Sequence, residues 1–258
     1  MTVTNERRVL IHSDIDSLVG AVAARFITKV VDLLADSETV NIVLTGGTVG
    51  GATQRAIRDS PARNTVEWSR VHFWWGDERF VPAGDPDRND VQAREALLDA
   101  LPIPAENIHA FAASDQVAGI DEAAVAYAEE LASAAPDGQQ LPRFDIMFLG
   151  VGPDGHVASL FPDRDGYRNV DKTVIGVRDA PKPPPNRLSL TLPALNSADR
   201  IWMVLAGADK ASALGLALAG ATANEVPAAG VLGRKRTVFF VDEAAARDVP
   251  ESLIASTY

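Results

Sequence analysis

One histidine in this chain, His156, stands two residues after a carboxylate in the run Gly152-Pro153-Asp154-Gly155-His156. An aspartate so placed can orient an imidazole and stabilise its charged form, so that the ring takes a proton from water or from a sugar hydroxyl. General-base chemistry is therefore expected at His156, with Asp154 as its orienting partner. His12, His72 and His109 are assigned structural or surface roles. The longer string Gly150-Val151-Gly152-Pro153-Asp154-Gly155 also matches G-x-G-x-x-G after a strand, the pattern of a dinucleotide site. That reading is set aside. Pro162 interrupts the following helix soon after Ala158-Ser159-Leu160-Phe161, and the motif lies in mid-chain rather than in a first βαβ unit.

Other segments could hold an anion. Thr45-Gly46-Gly47-Thr48 joins an apolar strand to a helix, where glycines permit close backbone approach and free N–H groups favour negative charge. It lacks the Gly-Lys-Ser/Thr of a nucleotide P-loop. Asp77-Glu78-Arg79 follows a tryptophan-rich strand, and Arg79 suits bidentate phosphate binding. Arg187 follows a proline run and is a second candidate clamp. Lys210 begins a helix, where a cation opposes the helix dipole. Asp209 can cap that helix, and an anionic ligand would account for the lysine.

These segments need elements to present them. Strands are expected at 8–12, 40–44, 71–75, 144–149, 200–205 and 237–241. Helices are expected from Ser13 or Asp14 through Leu33, and at about 49–58, 90–101, 121–134 and 210–218. Residues 77–79 and 83–89 read as polar loop, and 134–139 and 181–185 as surface loops. Apolar strands alternating with helices predict an α/β fold: a Rossmann-like, doubly wound, mostly parallel sheet with helices on both faces. No internal repeat or linker divides the chain, so 1–258 is read as a single domain. In such sheets ligands bind beyond the carboxyl ends of the strands. That rule selects 45–48, 77–79, 150–156 and 207–210, where the unusual polar residues lie.

Composition narrows the partners. The 258 residues carry 24 Lys and Arg against 35 Asp and Glu, a formal charge of −11. Such a chain repels nucleic acid and anionic membranes, so a small anion would need a local basic pocket. There are no cysteines, which excludes disulfides, thiolate catalysis and Cys-ligated zinc. No metal cluster stands out, and neither metal nor cofactor is expected. Lacking a leader-like start and any apolar run of about 18 residues, the chain is expected to be cytoplasmic and off the membrane. No apolar surface stripe suggests an oligomer, and a monomer is expected.

The run from Leu149 to Pro162 resembles the signature of the 6-phosphogluconolactonases. Thr45-Gly46-Gly47-Thr48, Trp75-Gly76-Asp77-Glu78-Arg79 with Asn89, Arg187-Leu188-Ser189-Leu190-Thr191, and Gly207-Ala208-Asp209-Lys210 are similar to that family's other blocks, in the same order. Each block is weak alone; five in order are specific, and they span about residues 10–241. The family shares its fold with glucosamine-6-phosphate deaminases, the alternative reading. Those carry an acidic residue five positions after the histidine, where this chain has Phe161, and usually an aromatic where it has Arg79. The resemblance implies hydrolysis of 6-phospho-D-glucono-1,5-lactone in the oxidative pentose phosphate pathway. His156 would be the general base and Asp154 its support. Gly46, Gly47, Thr48, Asp77, Arg79, Asn89, Arg187 and Lys210 would be the substrate and phosphate residues.

Overall fold

Nine strands run through the described residues, 7–164 and 171–254 of the computed structural model. They are β1 (Arg7–His12), β2 (Val40–Leu44), β3 (Val71–Trp75), β4 (Asp77–Arg79), β5 (Ile146–Leu149), β6 (Val174–Val177), β7 (Arg187–Leu190), β8 (Arg200–Leu205) and β9 (Arg236–Asp242). Six of them form one sheet in the order β1-β9-β8-β5-β2-β3, and every pairing in it is parallel. The apolar runs seen in the sequence follow from this arrangement. Strands covered on both faces bury successive side chains, and Ile42, Val43, Phe73, Trp74, Ile146 and Met147 are all fully buried. Burying each such side chain contributes roughly 1.5–3 kcal/mol before conformational entropy is counted.

The order of the strands locates the site. From β2 the chain steps outward to β3, whereas from β5 it steps the other way through β8 to β9. The direction reverses between the adjacent strands β2 and β5. A crevice opens at such a reversal beyond the strands' carboxyl ends, and the loops leaving β2 and β5 carry Thr45–Thr48 and Gly150–His156.

The helices are α1 (Ile15–Asp36), α2 (Gly47–Asp59), α3 (Asn89–Ala96), α4 (Ile120–Ser133), α5 (Leu192–Leu195) and α6 (Ala211–Leu218). Asp14 caps α1 by accepting from the Ser17 N–H at 2.7 Å, and Leu18, Val22, Phe26, Val30 and Leu33 form its buried stripe. The helix expected at 90–101 ends at Ala96, and residues 98–100 form a 3-10 turn. No helix among the described residues is long and apolar enough to cross a membrane.

Two expectations fail. Residues 77–79 are not a loop but β4, which pairs antiparallel with β7; β7 pairs in turn with β6 in a second, three-stranded sheet. The β4–β7 ladder joins segments more than 100 residues apart, and β6 and β7 are joined by the nine residues 178–186, too long a connection for a tight hairpin turn to signal them. In addition, no helix follows His156. Residues 157–160 close a tight turn through a bridge between Val157 and Leu160, and Ala158 has φ 48°, a left-handed conformation that breaks a helix.

Candidate functional site

A cavity of about 460 Å³ opens at the switch point. It is lined by Gly46, Gly47, Thr48, Asp77, Arg79, Asn89, His156, Arg187 and Lys210. Asp154 is not on its wall and reaches it through His156. The structure thus gathers every residue picked from the sequence into one place.

The loop after β5 folds back so that the His156 Nδ1 lies 2.5 Å from the Asp154 Oδ1. The Gly152 N–H donates to the His156 carbonyl and the Gly155 N–H to that of Gly152. Two glycines make this turn possible. Gly155 has φ +83°, where side chains are strained, and a Cβ there would meet Val226 at 2.7 Å. At Gly152 a Cβ would lie 2.0 Å from the His156 Nδ1 and 2.4 Å from the Asp154 Oδ1. Burial of Asp154 opposes its charge, but the hydrogen bond and charge of His156, with Lys182 nearby, outweigh it and hold the carboxyl well below its ordinary range. An ionised Asp154 accepts a hydrogen bond from Nδ1–H, the tautomer that leaves the Nε2 lone pair open to the cavity. Phe161 packs against the imidazole with ring centroids 4.7 Å apart.

The cationic wall is built differently. In the β4–β7 ladder Asp77 faces Ser189 and Arg79 faces Arg187. Like charges directly opposite across a ladder are destabilising, so two guanidiniums so placed on a cavity wall suit an anion between them. The Arg79 Nε is buried without a partner, while its Nη1 donates to the Asp87 carbonyl at 2.5 Å. Glu78, on the opposite face of β4, accepts from the backbone N–H groups of Arg79, Asn89 and Asp90 at 2.7, 2.6 and 2.9 Å. It thereby caps α3 and joins two wall residues. Burial pushes its carboxyl up to about 8, against the pull of Arg88 and the N–H donors.

Asp77 is held by the Ser159 hydroxyl at 2.8 Å. Its carbonyl accepts from the Asn89 Nδ2 at 2.9 Å. The Asn89 Oδ1 is buried without a partner, and a Cβ on Gly46 would come within 2.0 Å of it. The glycine at 46 therefore makes room for the asparagine. From Gly46 the chain enters α2, whose N-cap offers no side-chain hydrogen bond. The free N–H groups of a helix start thus meet the cavity, with partial positive charge.

The loop after β8 corrects one expectation. Asp209 does not cap α6. A 3-10 turn covers 208–210, and Asp209 instead lies 3.0 Å from the Lys210 Nζ. That hydrogen bond is the main reason its carboxyl sits below the usual range. Asp242 anchors the loop, accepting from the Gly207 N–H with both oxygens at 3.0 Å.

Arg187 both lines the cavity and clamps the proline run. Its Nε donates to the Pro184 carbonyl at 3.2 Å, and its Nη2 to those of Lys182 and Pro183 at 3.3 and 2.9 Å. Its guanidinium also lies 5.9 Å from the Phe161 ring centroid. The clamp brings in two residues that sequence reasoning passed over. Lys182 lines the cavity with its Nζ 3.5 Å from the Asp154 Oδ1; a lone lysine within four prolines is the signal that could have found it. Ser159 was seen only as part of the string. Among the described residues no group of three or more His, Cys, Asp or Glu is placed to hold a metal ion.

Known proteins resemble the chain along most of its length. The model of the family described as glucosamine-6-phosphate isomerases/6-phosphogluconolactonase matches residues 13–240. A 6-phosphogluconolactonase of Streptomyces coelicolor is 50% identical over 250 residues, covering 95% of this chain and 96% of that protein. One of Mycobacterium tuberculosis is 43% identical over 242 residues, covering 93% and 97%. Among solved structures, a 6-phosphogluconolactonase from Thermotoga maritima superposes with a TM-score of 0.81 at 29% identity, covering 92% of this chain and all of that one. A monomeric glucosamine-6-phosphate deaminase shares the fold at 16% identity and a TM-score of 0.76.

Proposed function

The chain belongs to the glucosamine-6-phosphate isomerase/6-phosphogluconolactonase family, and from that premise we propose that it hydrolyses 6-phospho-D-glucono-1,5-lactone to 6-phosphogluconate, with His156 as general base. The observation that carries the reading is a single cavity that joins the hydrogen-bonded Asp154–His156 pair to a cationic wall and a helix N-terminus. The pair suits proton transfer at a carbonyl, and the wall suits a phosphate.

The reaction runs in two steps. His156 Nε2 removes a proton from water as the water oxygen bonds to the lactone carbon, and the carbonyl π pair moves onto its oxygen. When that pair returns, the bond from the carbon to the ring oxygen breaks, and His156 gives its proton to the departing oxygen. The acid formed then ionises to solvent. Asp154 holds the imidazole and balances its charge between the steps. Positioned proton transfer of this kind contributes about 10² to 10⁴ in rate. Arg79, Lys210, Arg187 and the amides of Gly46, Gly47 and Thr48 hold the phosphate, while Asp77 and Asn89 form the wall between the two ends. Substrate and product fit the oxidative pentose phosphate pathway, and the reading is of a cytoplasmic enzyme that acts as a monomer.

The related deaminase reaction is disfavoured by the contact between Phe161 and His156. An apolar ring fills the position where the deaminases carry an acidic group. A coupled assay tests the proposal: glucose-6-phosphate dehydrogenase makes the lactone in place, and 6-phosphogluconate dehydrogenase reports its opening. Acceleration above spontaneous hydrolysis is expected. A flat response at micromolar protein, or ammonia release from glucosamine 6-phosphate, would overturn the assignment.

A further inference from the structure

Among the described residues four cationic side chains line the cavity: Arg79, Lys182, Arg187 and Lys210. Their surroundings separate them. Arg79 and Arg187 oppose one another in the β4–β7 ladder, and the Arg187 head is committed to three carbonyls. Lys210 pairs with Asp209 beyond β8. Of the four, Lys182 is the one whose ammonium reaches the hydrolytic pair. It lies 3.5 Å from the same Asp154 oxygen that accepts from the His156 Nδ1 at 2.5 Å.

Resting on the lactonase reading, we propose that Lys182 is a catalytic residue: its ammonium receives the negative charge that forms on the carbonyl oxygen when water adds to the lactone. The backbone on which it stands is fixed, because Arg187 holds the carbonyls of residues 182, 183 and 184. Its side chain is 41% exposed, and its contact with Asp154 is longer than a tight charge-assisted hydrogen bond. Asp154 already has a closer donor in His156. The lysine thus keeps donors to spare at the point where the oxyanion forms, on a flexible stem that can cover a short distance. Before water adds, it balances Asp154; once water adds, His156 becomes cationic and balances Asp154 itself, which frees Lys182 for the oxyanion. Charge stabilisation that appears only in the transition state raises kcat, not affinity.

The test compares kcat and KM for the phosphorylated lactone in wild type, Lys182→Met, Lys182→Arg and Lys210→Met. Each kcat is taken on its pH plateau, which removes any change in the ionisation of the base. Loss of one oxyanion donor predicts a fall of about 10²-fold in plateau kcat for Lys182→Met, with KM within about twofold. Lys182→Arg is expected to restore a large part of that loss. Lys210→Met is expected to raise KM instead. The proposal is overturned if Lys182→Met keeps its plateau kcat, if its defect is confined to KM, or if its profile only shifts along the pH axis. Circular dichroism melting at the wild-type temperature separates these results from misfolding, and Lys182→Arg tests the same charge should the methionine variant melt early. Failure of wild type to accelerate hydrolysis would overturn the lactonase reading instead.

Discussion

Two histidine–carboxylate pairs occur among the described residues, and they are close to equal in hydrogen-bond length. His156 Nδ1 lies 2.5 Å from Asp154, and His109 Nδ1 lies 2.8 Å from Glu130. Their settings differ. His109 lies flat on Trp74, with ring centroids 3.7 Å apart and planes at 5°, and its other nitrogen meets the His72 Nδ1 at 3.1 Å. Both of its ring nitrogens are engaged. Among the described residues the Nε2 of His156 has no hydrogen-bond partner, and the ring lines the cavity at the switch point of the sheet. The pairing alone therefore does not single out the proposed base. A free second nitrogen and a place beyond the carboxyl end of a central strand distinguish the two.

The comparison can be broken from either side. The largest effect is expected from Gly152→Ala. Its φ permits alanine, but the new methyl occupies the space of the Asp154–His156 contact. Turnover should fall toward that of an enzyme without its base, about 10² to 10⁴-fold, while the melting temperature stays near wild type. Next is Asp154→Asn, which should reduce kcat on the order of 10²-fold by releasing the tautomer that exposes Nε2. The matching change at the other pair, Glu130→Gln, should leave kcat unchanged; equal losses in the two variants would erase the distinction.

His109→Ala should keep wild-type turnover but lose about 1–3 kcal/mol of stability in urea unfolding, since it removes a stacked, hydrogen-bonded ring. The smallest effect concerns His72. Burial, and then the charge of His109, lower its value from the ordinary 6.5. The unfolded chain therefore takes the proton first as pH falls. The stability His72 contributes is complete above its ordinary value and is lost as pH drops through it. Urea midpoints should decline on going from about pH 7.5 to about pH 5.5, and His72→Gln should flatten that decline.

Much of this was legible in the sequence because parallel strands and switch-point loops leave local marks. Strands β2, β3 and β8 lie where their apolar runs place them. The cavity gathers Gly46, Arg79, Asn89, His156 and Lys210, each of which follows a strand or stands at the start of a helical turn, and Arg187, which a proline run marks. The second sheet was not legible. Its strands are three or four residues long, Asp77–Arg79 is wholly polar, and its pairing partner is more than 100 residues away. Without that pairing, the opposition of Arg79 and Arg187 could not be inferred. Lys182 escaped notice for a related reason. Its role depends on a clamp formed by a side chain five residues on, and on Asp154, which comes near only when the chain folds. The turn at Ala158 was read as a short helix because nothing in Ala158-Ser159-Leu160-Phe161 forbids one; Ser159 is held away from helix by its bonds to Asp77 and Ser189.

The most direct measurement of the central claim is the hydrolysis rate of 6-phospho-D-glucono-1,5-lactone by His156→Ala, followed beside wild type and corrected for spontaneous opening. A fall of about 10² to 10⁴-fold in kcat is predicted, with the fold intact by circular dichroism. Turnover at the wild-type rate would contradict His156 as the base.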